Sequence, residues 1–298
     1  MPMPVVAGVD GSQESLRAAE WAALAAHRHG APLRIVSAPA LPPRMRARHA
    51  VPLTVADQLS GESARALREA VTRAEEVSPR LLIEADTLDG PPALAVTAAG
   101  TGALMLVVGA RGAGGFAQML LGSVSRYAAM HATCPVIVVR EETSAVHREV
   151  VVGVRDPRDA TAALAFAFDE AALRSAALVV VHSWNSLPSA IWRQVDAERL
   201  AAETDTHLEE AMEPWRAKYP GVPIRRDVVH GHPARVLAAY AGRADLVVIG
   251  RHSGGHAIGG IQHAVLSHAH GPVAIVPDLA GASDNVVVPD AALVMEAD

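Results

Sequence analysis

The residues best suited to chemistry are a glycine-rich run, Gly109-Ala110-Arg111-Gly112-Ala113-Gly114-Gly115, and the segment Gly122-Ser123-Val124-Ser125 that follows it. Glycine lets a backbone approach an anion closely and take positive φ. Successive N–H groups then form a concave nest of donors. Ser123 and Ser125 place hydroxyls at the predicted start of a helix, where the dipole favours negative charge. These are the parts of a phosphate cradle. No Gly-Lys-Ser/Thr is present, so the run is not a Walker A loop, and no G-x-G-x-x-G with a downstream acid stands in its place. The bland alternative is a strand-to-helix connection that merely uses glycine. Arg111 is placed either to reach a phosphate or to sit solvated on the loop. Asp10, in Val9-Asp10-Gly11-Ser12, is either a turn residue or an acceptor in the same pocket. Ser12 reads as a helix cap.

Other reactive residues offer less. The chain has 14 histidines, and His252, His256, His263, His268 and His270 crowd together, but no carboxylate joins them in a ligand motif. They read as surface histidines. The single cysteine, Cys134, precedes an apolar run and reads as an inert buried thiol; one cysteine also excludes a disulfide framework and a cysteine zinc site. No spaced Ser/His/Asp set and no paired carboxylates appear at the glycine loop. Binding without rapid turnover is the expectation, with slow hydrolysis or autophosphorylation as the most an enzyme reading would claim.

The elements that must carry the loop come from an internal repeat. Val5-Val6-Ala7-Gly8-Val9 returns as Val150-Val151-Val152-Gly153-Val154, and Leu33-Arg34-Ile35-Val36 returns as Leu178-Val179-Val180-Val181 at the same offset of 145. Gly90-Pro91-Pro92-Ala93 matches Gly231-His232-Pro233-Ala234, and Cys134-Pro135-Val136-Ile137 matches Gly271-Pro272-Val273-Ala274. The boundaries read as 1–140, a linker over 141–149, a second copy over 150–278 and a tail over 279–298. In each copy short β-branched runs alternate with helical patterns, the βαβ signature. Strands are predicted near 4–9, 33–38, 81–87, 104–108 and 135–139, then 150–154, 178–182, 224–229, 245–249 and 272–276. The fold class is α/β: two tandem doubly wound domains, each an open five-stranded parallel sheet flanked by helices. Ligands in such sheets bind beyond the strand C-termini, at a topological switch point.

Composition agrees. Two domains suit 298 residues. Half the residues are apolar, yet only three Phe, three Tyr and four Trp are present, so the core is aliphatic, as helix-covered parallel sheets require. A net charge of −6 argues against general nucleic-acid binding. No apolar stretch approaches a membrane span, and the first twenty residues do not read as a signal peptide, so a cytoplasmic location is expected. Arg44 to His49 is a short basic run, read as a solvated face, and Asn285 to Pro289 is a candidate extra edge strand.

The chain resembles the universal stress proteins in their tandem form, over residues 4 to about 277. The ATP-binding members carry Gly-x2-Gly-x9-Gly-Ser/Thr, and Gly109, Gly112, Gly122 and Ser123 match that spacing, with Gly115 inside it. The resemblance implies that Asp10, beside Val9, faces the nucleoside end of a bound nucleotide. It implies that Ala38 and Val108 line the adenine pocket, and that Val124 and Ser125 follow Ser123 along the phosphates. ATP is the implied ligand, with Mg2+ on its phosphates, and AMP, ADP or a cyclic nucleotide stay open. Family members commonly associate through their last strands, which makes Val136 to Val139 and Val273 to Val276 edge candidates, free to pair the two copies with each other inside the chain before chains dimerise. A homodimer and an unidentified protein partner are expected, with no nucleic acid and no membrane. A nucleotide-free scaffold is the alternative.

The second copy departs from the motif. Arg155 replaces Asp10, Pro157 replaces Ser12, Ser253 replaces Gly112, and five residues separate Ser253 from Gly259 where nine are expected. A shorter loop cannot wrap a triphosphate in the same way. That copy is expected to be structural or regulatory, or to hold something smaller. The alternative is a nucleotide held with His252 or His256 in place of backbone donors.

Overall fold

The computed structural model describes residues 2–39, 53–113, 120–140, 146–157, 160–184, 194–251 and 259–278. The strands are β1 Val5–Gly8, β2 Leu33–Ser37, β3 Ile83–Thr87, β4 Met105–Gly109, β5 Val136–Val139, β6 Glu149–Gly153, β7 Ala177–Trp184, β8 Ile224–His230, β9 Leu246–Arg251 and β10 Val273–Pro277. The described helices are α1 Gln13–His29, α2 Leu53–Val77, α3 Pro92–Ala99, α4 Ser123–His131, α5 Thr161–Arg174, α6 Gln194–Lys218, α7 Pro233–Ala241 and α8 Gly260–His268. Each half is a doubly wound α/β unit, as the sequence predicts.

Local chemistry sets the element ends. The Ser12 side chain accepts from Ser15 N at 3.3 Å and caps α1. Gly30 closes the helix at φ 60°, a left-handed conformation that costs glycine little. Pro92 and Pro233 open α3 and α7, where a missing N–H is no loss.

The strands form one sheet in the order β3-β2-β1-β4-β5-β10-β9-β6-β7-β8. Pairing within each half is parallel; β5 and β10 run antiparallel, with Val273 opposite Val138, Ala274 opposite Ile137 and Ile275 opposite Val136. This is the pairing of the two copies inside one chain that the edge candidates allow. Val136–Val139 and Val273–Pro277 are not edges: each half satisfies the other's unpaired backbone inside one chain. The outer strands are β3 and β8, which carry Glu84, Asp86, Arg225, Arg226 and Asp227.

Both faces of the sheet are covered. One core layer joins Leu16, Ala19, Ala23 and Ile35 with Leu164, Phe168 and Leu178; the other joins Val36, Val108, Ala128 and Ala129 with Leu237, Val265 and Ile275. Contacts across the joint are also polar. Glu170, 1% exposed, accepts from His29 Nε2 at 2.7 Å and from Arg174 Nη2 at 2.7 Å. Arg140 Nη2 donates to Leu120 O at 2.5 Å and to Leu266 O at 2.9 Å.

Because β1 lies between β2 and β4, the connection leaving β1 goes to one face and that leaving β4 goes to the other. Helix α1 contributes to the first core layer and α4 to the second. The topological switch point is where they diverge, at the ends of β1 and β4. Asp10 and the glycine loop meet there.

Candidate functional site

Val9 ends the buried run of β1, and its N–H donates to Val36 O at 2.8 Å. The chain then turns through Gly11, whose φ of 81° lies in the left-handed region. Asp10 is exposed, and both its carboxylate oxygens are used. Oδ1 accepts from Ser12 N at 3.0 Å, and Oδ2 accepts from Ala113 N at 2.8 Å, across to the glycine loop. The bond to Ser12 N makes Asp10 a turn residue, and the bond to Ala113 N sets its carboxylate against the glycine loop.

Two glycines of the loop are there for close approach. A Cβ on Gly109 would lie 2.7 Å from the carbonyl carbon of Glu14 and 2.8 Å from Ser15 N, so the end of β4 presses backbone to backbone on the first turn of α1. A Cβ on Gly112 would collide with Asp10 Oδ2. Gly115 lies outside the described residues.

Gly122 precedes α4 and donates to Ala110 O at 2.7 Å. No side chain caps this helix from the N-cap position. Its first internal bond runs from Arg126 N to Gly122 O, so the N–H groups of Ser123, Val124 and Ser125 have no partner within the helix. That end of α4 offers backbone donors and the positive end of its dipole. Ser123 is exposed there. Ser125 differs from the expected hydroxyl display: it is 2% exposed, and its Oγ donates to Gly109 O at 2.6 Å. Two residues turn a helix by about 200°, which sends the two hydroxyls to opposite sides. Val108 and Ala38 are buried at the ends of β4 and β2.

One residue of the site has no counterpart among the sequence expectations. Glu14, in the first turn of α1, accepts from Arg111 N at 2.6 Å and from Arg111 Nε at 2.8 Å, and lies 2.6 Å from Arg111 Nη2. Ser12 Oγ donates to Arg111 O at 3.4 Å. An acid in a helix's first turn is visible in sequence, but a partner 97 residues away is not.

The second half keeps the frame and changes the site. Val154 N donates to Val181 O at 2.9 Å, as Val9 does to Val36, so Arg155 occupies the place of Asp10. Helix α5 starts at Thr161, about one turn late by the repeat offset, and Ala160 gives it no side-chain cap. Among the described residues the Gly250 Cβ position meets Ala163 Cβ, at 3.7 Å. Gln262 Nε2 donates to Gly250 O at 3.2 Å, repeating the Ser125–Gly109 tie with a longer side chain. His252, His256 and Ser253 lie outside the described residues, as do Arg44 to His49 and the tail beyond Asp278. His263, His268 and His270 are exposed, and no group of three or more potential metal ligands occurs among the described residues. Cys134 is buried, and burial pushes its thiol up to about 11.

The fold is that of a tandem α/β protein of the doubly wound type. The model for the universal stress protein family matches residues 1–140 and again 147–277. The chain belongs to this family, with two tandem domains. Universal stress protein Rv2005c of Mycobacterium tuberculosis is 32% identical over 290 residues, spanning 91% of this chain and 96% of its own. Universal stress protein Rv2623 of the same organism is 32% identical over 284 residues, spanning 91% and 95%. Among solved structures, a universal stress protein from Archaeoglobus fulgidus superposes at a TM-score of 0.71 over 93% of this chain and 96% of its own. At 17% identity that likeness concerns the fold. No described helix is long and apolar enough to cross a membrane.

Proposed function

We propose that the first domain binds an adenine nucleotide, ATP in the first instance, and that occupancy regulates what this stress protein offers to a partner. The observation that carries the reading is a convergence at one switch point. The carboxylate of Asp10, the Gly109–Gly112 backbone and the uncapped start of α4 flank a single crevice. An acid fits ribose hydroxyls or an adenine amino group, and free N–H groups at a helix start fit phosphate. Ser123 supplies an exposed hydroxyl at that start. Mg2+ would ride on the phosphates. Binding, with at most weak hydrolysis, is the activity. The second domain is structural or regulatory, since Arg155 cannot accept from ribose. The reading includes a cytoplasmic location, which suits one buried thiol, and association of whole chains.

A nucleotide-free scaffold is the second reading. It is favoured by one observation: Glu14 and Asp10 already accept from Arg111 N and Ala113 N.

The test is to denature the purified protein, identify released nucleotide and titrate the emptied protein with ATP and Mg2+. About one site per chain, weakened by Ser123→Ala and Asp10→Ala, supports the reading. Two sites would overturn the account of the second domain. No nucleotide and no stabilisation by added ATP would leave the scaffold.

A further inference from the structure

The first-turn acid of α1 carries an inference that rests on the nucleotide reading and deepens it. Glu14 is 9% exposed, although it is a carboxylate at the rim of a crevice. Its Oε2 takes the main-chain N–H of Arg111 at 2.6 Å, while its Oε1 takes Arg111 Nε at 2.8 Å and stands 2.6 Å from Nη2. One side chain thus grips both the backbone and the guanidinium of one residue. The neighbouring ties run the same way. Ser12 Oγ donates to Arg111 O, and the backbones of Gly109 and Glu14 abut. Arg111 is the first residue of the loop beyond Ala110, which is itself fixed by donation to Val139 O at 2.8 Å.

We propose that Glu14 is the positioning residue of the nucleotide site: it clamps Arg111 to the start of α1 and holds the Gly109–Gly112 segment in its ligand-ready form before ligand arrives. Arg111 then acts as a tie within the protein and not as a phosphate contact. A charge-assisted grip on a guanidinium fork is stronger than a neutral one and fixes direction as well as distance. Holding the loop in advance removes an ordering cost from binding.

Two measurements on the full chain test this. The first is limited trypsin digestion without nucleotide, reading cleavage after Arg111, whose side chain is 46% exposed. Glu14→Ala is expected to speed that cut at least about fivefold, because the tied segment opens locally. Glu14→Gln keeps one acceptor oxygen and loses the other together with the charge, and is expected to fall between. Wild-type cleavage rates in both variants would overturn the clamp. The second is ATP titration of Glu14→Ala, Arg111→Ala and the double variant. Each single change is expected to weaken binding about tenfold, with the double no worse than either, as for two members of one supporting unit. A further loss on removing Arg111 from the Glu14→Ala protein would mean that Arg111 touches the ligand, which overturns its assignment as a tie. Absence of ATP binding by the wild-type chain would sink the nucleotide reading alone, and the digestion would still decide the clamp.

Discussion

The hydroxyl of Ser125 lies 2.6 Å from the carbonyl oxygen of Gly109, so the first turn of α4 is fastened to the last residue of β4. The same hydroxyl also donates to Ala110 O at 3.2 Å. Two residues earlier, Ser123 faces outward from the same turn. The two serines of one short motif therefore do different work, and substitution separates them. Ser125→Ala removes the hydroxyl donor from Gly109 O, while Ala110 O keeps Gly122 N, and should cost about 1–3 kcal/mol in denaturant unfolding. Ser123→Ala should change stability by less than about 0.5 kcal/mol, as exposed positions do, while weakening ATP in calorimetric titration.

The paired glycines at the ends of β4 and β9 give a second contrast. Gly109→Ala forces a Cβ against backbone atoms that cannot step aside, at 2.7 and 2.8 Å, and should destabilise by about 1–3 kcal/mol. Gly250→Ala meets, among the described residues, a methyl at ordinary contact distance, and should cost less than Gly109→Ala. Comparable losses in thermal unfolding of the two variants would contradict the close approach assigned to Gly109.

Glu170 sets part of the acid limb of stability. Burial alone would push its carboxyl up; the hydrogen bond from His29 and the charge of Arg174 outweigh burial and hold it below its ordinary value of 4.5. The folded state thus favours the ionised form. The resulting stabilisation is fully present above the unfolded value and is lost as pH falls below it, toward the lower folded value. Glu170→Ala should cost about 3–5 kcal/mol at neutral pH, since it strands Arg174 and His29 in a buried setting. It should also flatten the fall in stability below about pH 4.5, measured by denaturant titration at stepped pH.

Cys134 offers a check on the core. With burial pushing its thiol up to about 11, almost none is thiolate at pH 8. A disulfide reagent should leave the native chain unmodified over the time in which it fully labels the unfolded chain. Rapid native labelling would mean that the second core layer opens more readily than its packing implies.

Sequence and fold agree wherever the signal is local. All ten strands lie within two residues of their predicted ends, because β-branched runs bounded by turns leave little choice. The differences have local causes too. Strand β3 starts at Ile83 because Leu81 N donates to Ser78 O in a turn. Strand β7 extends to Trp184 because its ladder with β8 continues through Ser183–Val229 and Trp184–His230, pairs without an apolar pattern. What sequence could not convey was distance along the chain. Val136–Val139 looks the same whether it meets solvent, another chain or β10. Glu14 and Arg111 are each ordinary in their own windows, and only the fold brings them together. The direction of the Ser125 hydroxyl follows from where α4 starts, a boundary that a Gly-Ser pair marks but does not orient.

The antiparallel joint between β5 and β10 has a consequence for how the halves have diverged. Strands of the first half all point one way and those of the second half point the other, so their C-terminal ends lie on opposite rims of the continuous sheet. The two switch points therefore lie on opposite rims. Changes such as Arg155 in the place of Asp10 can accumulate on one rim without disturbing the other, provided the strands that form the joint are kept. A duplicated domain in this arrangement is held by its seam and released at its mouth, which is the pattern of retention and loss that the two halves display.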